Sequence, residues 1–268
     1  MRKLGFLCLF MTVVCALVAY SSEAVSAEDV SIAPVEPAAG CYRITKSYPL
    51  TEDVHGIDGV LQLLQDSRIP EDVYDKQLGS GFRDMYIYNE DLLRLFKDNP
   101  PLGSVLRILL KGKGYHILRE SHTYDGVPLA LLEDAVLSGG GRPTYLFTQD
   151  LSIGWGSYAG PMTIFYEVSN GKLKPLEYFD DKTKKKKRIA VMKSLKTDWK
   201  LVKTKDGKTT DILEVASRPA NPEGEFVIYY DRFYFNGKQW VRYRRMEKGS
   251  WDMESDFPFS KFLSISKK

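Results

Sequence analysis

Three histidines, three cysteines and a large set of carboxylates are the side chains of this 268-residue sequence with the means to do chemistry. His116 and His122 stand six apart, the wrong spacing for the i, i+4 pair that holds zinc on a helix, and no third ligand lies near them. Cys41 and a histidine supply the residue types of a thiol dyad, but neither sits in a nucleophile signature, and no Gly-x-Ser-x-Gly elbow occurs. Carboxylates are numerous enough for a hydrolase, yet sequence does not say which two would stand ~5–9 Å apart. No catalytic set, metal site or cofactor motif assembles, so a non-enzymatic role without cofactors is expected.

Two stretches point to contact instead. Gly154 to Pro161 (GWGSYAGP) is glycine-rich, but a phosphate cradle opens a helix, whereas this stretch runs into the apolar segment Met162–Val168. It reads as a wide turn that presents Trp155 and Tyr158 to a ligand or partner. Lys182 to Arg188 packs six cations into seven residues between two predicted strands. That run reads as a solvated loop tip able to meet an anionic surface such as lipid headgroups, a polyanionic glycan or nucleic acid. Trp155, Tyr158, Lys184, Lys185, Lys186, Lys187 and Arg188 are therefore the candidate binding residues. Aromatics and arginines also interleave from Tyr229 to Arg245, as in sheets that stack bases. The chain's address argues against nucleic acid.

That address comes from the first 27 residues. Arg2 and Lys3 precede an apolar run from Leu4 to Tyr20, and Val25-Ser26-Ala27 offers small residues for cleavage, the pattern of a secretory signal. The run is shorter than the ~20 residues a membrane span needs, and no later segment reaches that length. Cys8 and Cys15 leave with the signal, so no intramolecular disulfide is expected, and export without such staples fits a bacterial periplasm or extracellular space. Ala38-Ala39-Gly40-Cys41 resembles a bacterial lipoprotein cleavage motif, a second address, though charged residues and prolines separate it from the apolar run.

The elements that must position these residues follow from composition and punctuation. With 38 Lys and Arg against 35 Asp and Glu, a net charge of +3 and 43% hydrophobic residues, the sequence is that of a globular protein, not a disordered, fibrous or polytopic membrane one. Residues 28–44 read as a flexible lead-in. Residues 45–142 carry helix signals at Ile57–Gln65, Glu90–Asp98, Val105–Lys111 and Leu129–Leu137. Residues 143–268 are rich in aromatic and β-branched residues, with hairpin dipeptides at Asn170-Gly171, Asp206-Gly207 and Asn236-Gly237. Two-residue turns there would set Glu167 against Lys174, Leu201 against Ile212, and Phe233 against Trp240 with Asp231 against Arg242.

The expected fold is thus α+β: short N-terminal helices with a C-terminal antiparallel β meander, barrel-like or sandwich-like. The expected role is an exported binding or interaction protein. An envelope glycan or peptide hydrolase and a structural component of an envelope assembly are the alternatives. N-terminal sequencing of the exported protein should begin at Glu28; a chain beginning at Met1, or at an acylated Cys41, would overturn the signal assignment.

Overall fold

The computed structural model describes residues 41–70, 96, 98–99, 102–111, 114–120, 130–138, 141–150, 157–158, 160–180, 182–222 and 224–263. Strands β1 (Tyr42–Leu50), β2 (Gly59–Asp66), β3 (Val105–Leu110) and β4 (Gly114–Glu120) form an antiparallel sheet in chain order, with the one-turn helix α1 (Glu52–His55) between β1 and β2. Next come β5 (Ala130–Val136), β6 (Pro143–Asp150), β7 (Pro161–Ser169) and β8 (Lys172–Pro175). The chain crosses to another sheet for β9 (Glu177–Asp180) and β10 (Lys185–Arg188), then returns for β11 (Ala190–Met192). It crosses again for β12 (Thr197–Lys203), β13 (Thr210–Pro219), β14 (Phe226–Phe235) and β15 (Trp240–Lys248), and α2 (Phe259–Leu263) follows. The second sheet has the order β11-β7-β6-β5, with β8 paired to β7; the third has the order β10-β9-β15-β14-β13-β12.

The protein is therefore mostly β, and the expected α+β class with N-terminal helices is overturned. Ile57–Gln65, Val105–Lys111 and Leu129–Leu137 fall mainly on β2, β3 and β5, while most of Glu90–Asp98 lies outside the described residues. The physical reason is period. Leu61 and Leu63, Leu106 and Ile108, and Ala130 and Leu132, each pair two residues apart, face one shared core, while β2 is buried on both faces from Leu61 to Asp66. Short apolar runs satisfy a helical and an extended pattern alike, and burial against a facing sheet decides between them. No closed barrel forms among the described residues. The C-terminal strands divide between two sheets instead of making one meander.

Three sheets stack in layers, and the middle one is buried on both faces. Tyr145 and Phe147 of β6, with Ile164, Tyr166 and Val168 of β7, pack against Leu50, Leu61, Leu63, Leu106 and Ile108 of the first sheet. Leu146 and Phe165, on the opposite face of the same strands, pack against Tyr178, Ile212, Phe233 and Trp240 of the third sheet. Such strands read as continuous apolar runs, because neither face meets water. The outer face of the third sheet is covered over Leu213, Val215 and Tyr230 by Trp251 and Phe262 of the C-terminal segment. Gly160 allows one close crossing: a Cβ there would lie 1.8 Å from the Lys193 carbonyl oxygen, beside the Lys193 to Pro161 backbone hydrogen bond of 3.0 Å.

Two of the three expected hairpin registers hold, with Glu167 against Lys174 and Leu201 against Ile212. The third is shifted by two: Phe235 faces Trp240, Phe233 faces Arg242 and Asp231 faces Arg244. Asn236 causes the shift, since its Oδ1 accepts from the amides of Lys238 and Gln239, both at 3.0 Å, and so closes a four-residue loop. A shift of two keeps every side chain on its expected face.

Phe147 and Phe165 have no exposed surface and point to opposite sides of the middle sheet. Each changed to Ala should cost about 3–5 kcal/mol in urea unfolding. A cost below about 1 kcal/mol at either position would show that its face is not packed.

Candidate functional site

The basic run divides between an exposed turn, Lys182–Lys184, and an edge strand, Lys185–Arg188. Lys185–Arg188 pairs with Glu177–Asp180 at the margin of the third sheet, after a turn in which Lys184 has φ of 55°. Asp180 organises that turn. Its Oδ1 accepts from the amides of Lys182 (3.0 Å) and Thr183 (3.1 Å), and its Oδ2 meets Lys187 Nζ at 2.9 Å and Arg242 at 3.2 Å. The Lys187 contact, helped by those two amides, holds the Asp180 carboxyl well below the usual carboxylate range. Arg242 also lies 4.8 Å from the centre of the Tyr178 ring. Lys187 is thus turned inward as part of the fold, whereas Lys185, Lys186 and Arg188 are exposed and make no ion pair among the described residues.

Register extends this cationic edge into an outer face. Lys186, Phe179, Val241 and Tyr234 are successive partners across β10, β9, β15 and β14. Their neighbours Tyr178, Trp240 and Phe235 face the core, so this row faces out. Tyr243, two residues along from Val241, is 47% exposed.

Tyr158 lies elsewhere. It is exposed, and the carbonyl of its neighbour Ser157 accepts from the Lys196 amide at 3.1 Å, just before β12. The edge formed by β12 and the edge formed by β10 are the two opposite margins of the third sheet. The structure therefore does not join Tyr158 and the basic run into one surface. Trp155 lies outside the described residues.

Near Tyr158 the inner face of the third sheet carries a row of polar side chains. Trp199, Glu214, Asp231 and Arg244 are successive cross-strand partners on β12, β13, β14 and β15. Arg244 grips buried Asp231 with both ends of its guanidinium, Nε lying 2.6 Å from Oδ1. Glu214 sits where the middle sheet stops, accepting from the Met192 amide of β11 at 3.4 Å. Burial, and then the Asp231 charge, push the Glu214 carboxyl up to about 8; Arg218, the Met192 amide and Arg244 oppose the rise. One step further out, Tyr229 has the Arg218 guanidinium 5.8 Å and the Arg244 guanidinium 4.9 Å from its ring centre. Comparison with family models, curated proteins and solved structures gives no match. Geometry alone therefore carries the functional reading.

The thiol dyad does not form with His55. Cys41 is exposed just before β1, while His55 is buried in α1 beyond the strand's far end, roughly 30 Å away at the rise of an extended chain. His55 Nδ1 accepts from the Thr51 amide at 3.0 Å, so Nε2 carries the proton and donates to the Tyr145 hydroxyl oxygen at 3.0 Å. Burial lowers the His55 pKa and pushes the Tyr145 hydroxyl up to about 12. Histidine and tyrosine here form a neutral strut between two sheets. His122 lies outside the described residues, as does the side chain of His116. Among the described residues no group of three or more His, Cys, Asp or Glu could hold a metal ion, and no helix is long and apolar enough to cross a membrane.

Sequence reasoning missed Glu214, Arg218 and Tyr229, because what makes them a site is a row across β12, β13, β14 and β15. The nearest signal is the aromatic–arginine interleaving from Tyr229 to Arg245, which fits any hairpin with one core face and one wet face as well as a sheet that stacks bases. Glu214 also predicts a pH dependence. Its ordinary value is near 4.5, so between there and about 8 the folded chain keeps a proton that the unfolded chain has released. The stabilisation is complete below that range and is lost as pH rises through it. Glu214→Gln keeps the neutral form at every pH. The melting temperature of the natural chain minus that of Glu214→Gln should therefore fall from about pH 5 to about pH 8, and a flat difference would contradict the assignment.

Proposed function

We propose that this chain is an exported, non-enzymatic binding protein that docks on an anionic lipid surface through β10 and the outer face beside it. The observation that carries the reading is the row Lys186, Phe179, Val241, Tyr234, with exposed Arg188 on the same face and exposed Lys185 on the other side of the same edge strand, away from the part of the sheet that Trp251 and Phe262 cover. Cations at a sheet margin meet headgroups, while aromatic rings on the adjoining face suit the boundary between water and acyl chains. The basic start, apolar run and small-residue site of residues 1–27 support export to a bacterial periplasm or beyond.

An envelope hydrolase is the second reading, favoured by one observation: Glu214 and Asp231 face each other on one sheet surface, the first holding its proton and the second paired with Arg244. Release of reducing ends from envelope glycan by the natural chain, and none by Glu214→Gln, would favour it.

The docking reading is tested by sedimentation with lipid vesicles. The chain should travel with vesicles holding about one-third anionic lipid and remain behind with purely zwitterionic ones, with binding that weakens as salt rises. Reversing Lys185, Lys186 and Arg188 to Glu should weaken it by about 100-fold or more at an unchanged melting temperature. Equal sedimentation of the triple variant would overturn the proposal. So would capture of the chain by a sulfated glycan with no vesicle binding, which would assign the strand to polyanions instead.

A further inference from the structure

The inner face of the third sheet outruns the middle sheet that covers it. The row containing Ile212 and Phe233 lies in the core between the two sheets, and at the next row Glu214 meets the last residue of β11. Beyond it comes the row Thr197, Ala216, Tyr229 and Met246, in which Thr197 and Ala216 are buried and the surface opens at Tyr229 and Met246, and then Arg218 with Val227 and Lys248. Met246 is 55% exposed, and Arg218, Arg244 and Lys248 are exposed. The result is a ledge floored by Tyr229, Met246, Arg218 and Lys248, with Glu214 and Arg244 at its inner end and with Tyr158 close enough for the Arg218 charge to act on its hydroxyl.

We propose that this ledge binds an acidic oligosaccharide, Arg218 taking a sugar carboxylate and Tyr158 stacking against a pyranose ring. Four features support it. Arg218 makes no ion pair among the described residues, so its forked donors are available to a carboxylate. Arg244 is fixed by Asp231, and the two guanidinium groups leave the ledge cationic around the Tyr229 ring. Glu214 retains its proton near neutrality, which makes it a donor to a ligand oxygen instead of a charge that would repel an acid. Trp199, directly across from Glu214, has a buried indole N–H with no hydrogen-bond partner among the described residues, a polar donor left over at the inner end. Exposed aromatic surface together with hydroxyl-seeking polar groups favours a saccharide over an acidic peptide, which needs charge alone.

Isothermal titration with trigalacturonate is the test. The natural chain should give a saturable heat, while neutral maltotriose and tri-glutamate give none. Arg218→Ala should weaken trigalacturonate binding by about 10- to 100-fold, the loss of one charged hydrogen-bonded contact, and Arg218→Lys should restore part of it. Tyr158→Ala should weaken it about fivefold. Both positions are exposed, so the melting temperature should not move. No heat with trigalacturonate, equal affinity in Arg218→Ala, or tri-glutamate binding as tightly as the sugar acid would each overturn the proposal. This site is independent of the docking strand: Arg218→Ala should still sediment with anionic vesicles, and the Lys185, Lys186 and Arg188 triple variant should still titrate with trigalacturonate.

Discussion

Burial of the middle sheet on both faces is the constraint on which the other features depend. Strands β6 and β7 place Tyr145, Phe147, Ile164 and Tyr166 on one side and Leu146 and Phe165 on the other, so each neighbouring sheet builds the core of its inner face on the middle one. Cys41 is exposed and forms no disulfide among the described residues, so packing holds these layers together. The double burial also explains the polar struts between layers. Gln65 Nε2 reaches the Ala130 carbonyl at 2.7 Å, and the Tyr48 hydroxyl donates to the Leu132 carbonyl at 3.3 Å, tying the first sheet to the edge strand β5. Buried polar groups that find partners in this way fix one arrangement of the layers.

Size mismatch turns that packing into function. The third sheet has six strands, several of them nine or ten residues long, and neither the middle sheet nor the C-terminal segment covers it fully. Two areas are left open, on opposite faces and near opposite margins. In both, a buried aspartate governs the cations around it. Asp180 draws Lys187 and Arg242 inward and leaves Lys185, Lys186 and Arg188 to solvent, while Asp231 fixes Arg244 and leaves Arg218 unpaired. Lysines on β10 have a second consequence: a charged margin resists pairing with the edge of another chain, so the feature that suits an anionic surface also protects the sheet from self-association.

Much of this was legible in the sequence, and the rest failed for identifiable reasons. Tight turns and alternating patterns gave the C-terminal strands and two correct registers, because Asn170-Gly171 and Thr204–Thr209 close their loops symmetrically about the expected centre. Asn236 broke the third register with side-chain hydrogen bonds that a dipeptide rule does not contain. The N-terminal strands were misread as helices because leucine serves either period, and the deciding partner, the middle sheet, lies far along the chain. The cationic run was visible as charge, but its division into an inward Lys187 and outward neighbours needed Asp180 and Arg242, seven and 55 residues away from Lys187. The ledge was invisible, since Trp199, Glu214, Asp231 and Arg244 become neighbours only through three ladders.

Native-state hydrogen exchange on the free chain tests the central claim most directly. If the doubly buried sheet holds the molecule together, the amides of Leu146, Phe147, Ile164 and Phe165 should be the slowest of all and should exchange only with global unfolding. Those in β1 and β10, at sheet margins, should exchange through smaller openings at much lower free energy. Slower exchange in either outer sheet than in β6 and β7 would contradict the account, because the layers would then be held by something other than their shared centre.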